Sequence, residues 1–208
     1  MIRFLSSSIG RKAGMAVTGL LIYGFLVGHL AGNLLLFNGD GGGAFNAYSA
    51  FLTNHPLLIP IEFVLLAIFL LHIYFAIGVT RDNRRARPID YEAKSRAVGG
   101  RTWASSTMLY SGILILVFVA IHIKTFKYGD LGDGTLFDLV AATFNQTGYM
   151  VWYVVAMIVM GFHLCHAFQS AFQTLGLKSQ MIKVFGLVLS LALAIGFGLI
   201  PVAMGVLM

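Results

Sequence analysis

Five stretches of the chain are apolar over the roughly 20 residues that an α-helix needs to cross a hydrocarbon layer. They run over about 13–37, 57–79, 103–126, 149–172 and 183–208. The segments between them are too polar to remain in hydrocarbon. Residues 38–43 read Asn-Gly-Asp-Gly-Gly-Gly, a turn cluster. Residues 44–53 follow as a short surface helix, with Phe45, Tyr48 and Phe51/Leu52 on one face. Residues 80–101 form a solvated basic loop, and 127–148 carry three aspartates and an interfacial helix around 137–144. The pattern predicts an all-α membrane protein, a single domain over 1–208 with five transmembrane helices in a bundle. The first apolar stretch is too long for a cleavable signal peptide, and no small-x-small site follows it.

Composition agrees with that pattern. Of 208 residues 58% are hydrophobic and 11% charged, against about a quarter charged in soluble domains. That balance excludes an ordinary soluble globule, and a disordered chain as well. The net charge of +6 does not point to nucleic acid, because its distribution follows the membrane. Arg3, Arg11, Lys12, seven basic residues of the 80–101 loop, Lys178 and Lys183 fall on one side, and only Lys124 and Lys127 on the other. The positive-inside rule then predicts a cytoplasmic N-terminus and, after five crossings, a C-terminus outside. The single cysteine, Cys165, excludes a disulfide framework, a multi-cysteine metal site and a covalently attached c-type haem.

Against so few charges, six histidines stand out. Four spans hold them centrally: His29, His72 and His122 singly, and His163 with His166. One embedded histidine is as readily a satisfied buried side chain as a ligand, but one on each of four helices points to function. At about 1.5 Å of rise per residue, His29 lies roughly 24 Å and His122 roughly 28 Å along outward-running spans. On the same scale His72 and His163 lie roughly 22 Å and 20 Å from the outer ends of inward-running spans. The four therefore resolve into an outer pair and an inner pair. Two facing neutral imidazoles leave a haem iron no open position, which favours electron transfer over oxygen chemistry.

A zinc site would need four ligands converging at one depth, and a proton relay would mix histidines with intramembrane carboxylates. The only embedded carboxylate is Glu62, near the outer end of the second span. His166 sits one turn from His163, and spacing alone does not choose between them. His55, before Pro56, reads as an outer-surface residue. Gly24, Gly28 and Gly32 recur every four residues beside His29, which fits either close helix approach or room for a flat macrocycle, with Gly28, Gly32 and His166 as pocket candidates. Gly196, Gly198 and Pro201 read as packing or a kink.

The stretches SSSIGRKAGMAVTGL, GHLAGNLLLF, FNAYSAFL and GFHLCHAFQSAFQTLGL, with the basic inner loop, together resemble the di-haem cytochrome b subunit of succinate:quinone oxidoreductases. These are the membrane anchors of succinate dehydrogenase and fumarate reductase, in the variety with a single five-helix anchor. The resemblance covers nearly the whole chain, and its strength lies in the order and spacing of the motifs. It implies two haem b groups stacked between the first four helices, His29 pairing with His122 at the outer haem and His72 with His163 at the inner. His163 matches the family ligand better than His166. The resemblance further implies a bacterial inner-membrane location and two cytoplasmic partners, a flavoprotein with FAD and an iron–sulfur subunit. It also implies menaquinone as the exchangeable substrate. Some fumarate reductases of this group carry a glutamate, linked to proton transfer, where this chain has Gly161.

The expected function is to carry electrons between the iron–sulfur subunit and quinone, with no dicarboxylate chemistry in this chain. A quinone pocket needs polar groups near a haem edge. Glu62, His55 and Lys124 are the outer candidates, and Ser8, Arg11 and Lys12 mark an equally permitted inner site. Direction of reaction and oligomeric state, including a dimer of complexes, are left open. The rivals are the di-haem anchors of nitrate reductase, hydrogenase or formate dehydrogenase complexes and, from another class, a haem-free scaffold or transporter.

Overall fold

The computed structural model describes residues 7–85 and 103–206. These residues form seven α-helices and no strand: α1 Ser8–Asn33, α2 Gly43–Thr53, α3 Leu58–Arg85, α4 Trp103–His122, α5 Leu136–Phe144, α6 Thr147–Thr174 and α7 Gln180–Val206. A 3-10 turn, Leu34–Phe37, extends α1, and a π-helical turn, Ile123–Lys127, extends α4. Five helices (α1, α3, α4, α6 and α7) are long and apolar enough to cross a membrane. They coincide with the five expected spans, though α3 continues past residue 79 to Arg85. Both expected surface helices form. Residues 86–102, which hold most of the basic loop, lie outside the described residues, as does Arg3.

Local chemistry sets the helix ends. The Ser7 hydroxyl accepts from the Gly10 N–H at 3.0 Å and caps α1. Thr135 and Asp138 form a reciprocal capping box at the start of α5. Asp40 accepts from the Gly42 and Ala44 N–H groups at 3.1 and 2.7 Å, closing the glycine turn onto α2. The Ala44 bond foremost holds the Asp40 carboxyl below its ordinary range. Gly42 is required twice over. Its φ of +86° is left-handed, and a Cβ there would lie 2.3 Å from the Phe137 ring. That close approach, with the Phe137 N–H donating to Asn46 Oδ1 at 3.1 Å, seats α5 on α2.

Helix α6 is the centre of the packing. It lies against α7, α1 and α4, while α1 lies also against α3. One core joins Tyr23, Met157, Met160, Leu164, Phe168 and Leu193. A second joins Leu36, Phe45, Val140, Phe144, Ile200 and Met204, so the two short helices close one end of the long ones. The Tyr23 phenol donates to Ser190 Oγ at 2.8 Å, because the only proton of Ser190 is given to the Gly186 carbonyl at 2.6 Å. At the far end the Arg11 guanidinium forks onto Asp82 at 2.7–3.0 Å. Gly78 makes room for the arginine stem there, since a Cβ would lie 2.5 Å from Arg11 Cδ.

The glycine stripe on α1 does not pack as its spacing allowed. Gly24 and Gly28 have nothing within 4 Å of a built Cβ, and only Gly32 meets a neighbour, the Tyr48 ring. Close helix approach falls instead to Gly14 against Phe75, Gly161 against Ala194, Gly186 against Phe168 and Gly196 against Leu30. A four-residue spacing marks a face but does not say which neighbour that face meets.

Candidate functional site

Helices α3, α1, α6 and α4 follow one another by contact, but α3 and α4 barely touch. Between them lies one continuous cavity of about 3840 Å³, several times the roughly 300–1,000 Å³ of a pocket for a drug-sized ligand. All five span histidines line it, together with His55 and Glu62. Helix interiors normally close-pack, so a space this large along four helices reads as a cradle for large groups.

The structure brings the histidines to two levels. At the first, the rings of His29 and His122 face each other with centroids 5.8 Å apart and planes at 90°. That geometry is an aromatic pair, with the two imidazoles brought together from different helices. Aromatic rings enclose this level. Phe25 stacks on His29 at 5.2 Å, Phe197 tilts against it at 5.7 Å, and Phe118 and Phe126 flank His122 at 5.7 and 5.5 Å. The Tyr153 hydroxyl lies 3.3 Å from His122 Nδ1, and Asn33 Nδ2 donates to the His29 carbonyl at 2.8 Å.

At the second level each imidazole is held by a hydroxyl from a neighbouring helix. His72 Nδ1 lies 3.2 Å from Thr18 Oγ1, and His163 Nδ1 lies 2.9 Å from Ser111 Oγ. Glycines leave the rings room: a Cβ at Gly19 would lie 3.2 Å from His72 Cε1, and one at Gly112 would lie 3.7 Å from His163 Cε1. His166 lines the same cavity one turn further along α6.

Three helices measure the separation of the levels independently. Thr18, which marks the His72 level, precedes His29 on α1 by 11 residues; Ser111 precedes His122 by 11 on α4; Tyr153 precedes His163 by 10 on α6. At 1.5 Å per residue each interval is about 15–17 Å. Hydrogen bonds between helices set this separation of the two histidine levels.

Of the pocket candidates on α1, Gly32 lines the cavity, whereas Gly28 is exposed and stands off it. Among the polar candidates, Glu62 lines the cavity mouth and pairs with Lys127. His55 sits at that mouth, its Nδ1 accepting from the Leu57 N–H at 3.2 Å. Lys124 is exposed and off the cavity; the cation that meets Glu62 is Lys127. The cause is the π turn, closed by the Tyr128 N–H on the Ile123 carbonyl at 3.2 Å. A π turn brings residues five apart onto one face, so Lys127 follows His122, whereas Lys124, two residues on, points away. At the opposite mouth, Lys12 and Arg84 line the cavity while Arg11 is engaged with Asp82. Thr18, Ser111, Tyr153 and Lys127 are the site residues that sequence reasoning passed over. For Thr18, Ser111 and Tyr153 the usable signal was a hydroxyl inside an otherwise apolar span.

Gly161 faces away from the cavity, and a Cβ there would lie 2.8 Å from Ala194 Cβ. A glutamate at this position has no room without parting α6 from α7. No family model, curated protein or solved structure matches this chain.

Proposed function

We propose that this chain is the di-haem cytochrome b anchor of a succinate:quinone oxidoreductase, holding two haem b groups in the cavity between α1, α3, α4 and α6. The observation that carries this reading is the convergence of one histidine from each of four apolar helices on one cavity, as two pairs about 15–17 Å apart. The residues fit the group. The cavity supplies apolar walls, the imidazoles supply neutral nitrogen ligands, and no described cluster of three or more metal-binding side chains competes for the iron. When bound, the haems supply one-electron chemistry between an iron–sulfur partner and a membrane quinone.

The chain's own residues do the rest. His29 with His122, and His72 with His163, would hold the two haems, and a pair of neutral imidazoles on each would favour electron transfer over oxygen chemistry. Aromatic rings pack around both imidazoles of the first level. At its mouth the Glu62 carboxylate is charge-paired with Lys127, which places a proton-accepting group at the rim, where a quinol must lose protons as it is oxidised. His55 lines the same cavity. The basic-residue asymmetry makes the Arg11–Asp82 end cytoplasmic, the side on which a flavoprotein and an iron–sulfur subunit would dock. Menaquinone fits as substrate by resemblance. With Gly161 wedged against Ala194, a proton path through a carboxylate at that point of α6 has no place here.

A reduced-minus-oxidised difference spectrum of the purified chain, with haem quantified as the pyridine adduct, tests the reading. Two low-spin b haems per chain are expected. A folded, colourless protein would overturn it and leave a membrane scaffold or transporter.

A further inference from the structure

We propose that Thr18 and Ser111 are positioning residues that fix His72 and His163 as the Nδ1–H tautomer, presenting the lone pair of each Nε2 to the cavity. A hydroxyl has one proton and two lone pairs. The Thr18 proton is given to the Gly14 carbonyl, 2.7 Å from Oγ1, with the Met15 carbonyl at 3.2 Å as its other acceptor. The Ser111 proton is given to the Met108 carbonyl at 3.1 Å. Both hydroxyls therefore have only lone pairs to offer the imidazoles 3.2 and 2.9 Å away, and each Nδ1 must be the donor. A neutral imidazole that donates from Nδ1 has its acceptor pair on Nε2, the atom left for a metal. The helix backbone thus dictates the tautomer of a histidine on another helix, through the Ser111 hydroxyl for His163 and, for His72, through the Thr18 hydroxyl with the Met15 backbone as a further partner.

The arrangement is reciprocal. Thr18 on α1 and Ser111 on α4 belong to the helices that carry His29 and His122, so each of these two helices supplies a ligand at one level and orients a ligand at the other. The Tyr153 phenol does not share this property, since no described carbonyl takes its proton and its bond to His122 can run either way.

This inference rests on the haem reading, and its test separates the two. The full-length chain and a His122→Ala background, which retains only the haem of His72 and His163, are compared as Thr18→Val, Ser111→Ala, Thr18→Ser and Ser111→Thr. Loss of the acceptor makes the imidazole a poorer electron donor. Thr18→Val and Ser111→Ala are expected to raise the midpoint potential of that haem in a redox titration, to weaken its retention roughly 10- to 100-fold, and to leave the other haem unmoved. Thr18→Ser and Ser111→Thr keep an acceptor and are expected to restore both values. If Thr18→Val does not fold, Ser111→Ala carries the same readout alone. Haem bound with unaltered potential and retention in the apolar variants would overturn the inference while the functional reading stands. So would an effect of equal size in the hydroxyl-retaining variants, which would mean that side-chain volume matters and the hydrogen bond does not. Absence of haem from the parent chain would overturn the functional reading itself.

Discussion

The two histidine levels present the same pair of imidazoles and hold them by different means. His72 and His163 are each tied at Nδ1 to an aliphatic hydroxyl whose proton is already committed to its own helix. His29 and His122 are packed among Phe25, Phe118, Phe126 and Phe197, and only His122 has a hydroxyl beside its ring, at the longer distance of 3.3 Å. One level is set by directional hydrogen bonds between helices and the other by the shape of an aromatic enclosure. Two sites of equal composition can therefore be tuned independently, because a hydrogen bond changes the ligand's electron density while packing changes chiefly its freedom and its access to water. The second core, with α2 and α5 over it, lies at the aromatic level only, which leaves the hydroxyl level dependent on the long helices alone.

The largest effect that tests this contrast comes from removing ligands. His29→Ala and His122→Ala are expected to abolish the same haem, and His72→Ala and His163→Ala the other, each halving the haem per chain; four distinct spectra would break the pairing. Next is Gly42→Ala, which adds a Cβ at left-handed φ against the Phe137 ring. A strain of about 1–2 kcal/mol and overpacking of about 1–3 kcal/mol should lower the melting temperature and loosen the aromatic level first. Equal perturbation of both haems would mean that the α2–α5 cover serves the whole cavity. Smaller again is Tyr153→Phe, expected to move only the potential of the His29/His122 haem in a redox titration. Its shift should be less than that of Ser111→Ala, because the bond removed is longer.

The smallest effect is a pH dependence of the cover itself. The Asp138 carboxyl is held below its ordinary range, first by its bond with the Thr135 side chain and then by the Thr135 N–H. A depressed folded value stabilises above the unfolded pKa of about 3.9, and that contribution is lost as pH falls through the lower folded value. Thermal melts taken downward through the carboxylate range should therefore show a shallower acid decline in Thr135→Val, which lacks the cap hydroxyl.

The five spans, both surface helices and the two depths of the histidines were legible because each rests on local arithmetic: apolar run length, helical rise and the position of a polar residue within it. Where the reading departed from the structure, the cause was local too. Lys124 was named as a candidate, and Lys127 was not, because a π turn after His122 cannot be seen in an apolar pattern. Gly28 was linked to the pocket because spacing identifies a stripe without its neighbour. Thr18 and Ser111 passed as ordinary span residues, since a hydroxyl bonded to its own helix backbone is common there.

By itself the sequence determined the number and length of the helices that can enter a membrane and which of them carry imidazoles, since hydrocarbon admits little else and rise per residue fixes depth. Only the tertiary structure decided which helices enclose the cavity, that Lys127 meets Glu62, and that a threonine and a serine meet the rings of histidines 54 and 52 residues away. Those outcomes depend on the rotation of each helix about its axis and on contacts between distant segments, which the order of residues along one helix does not specify.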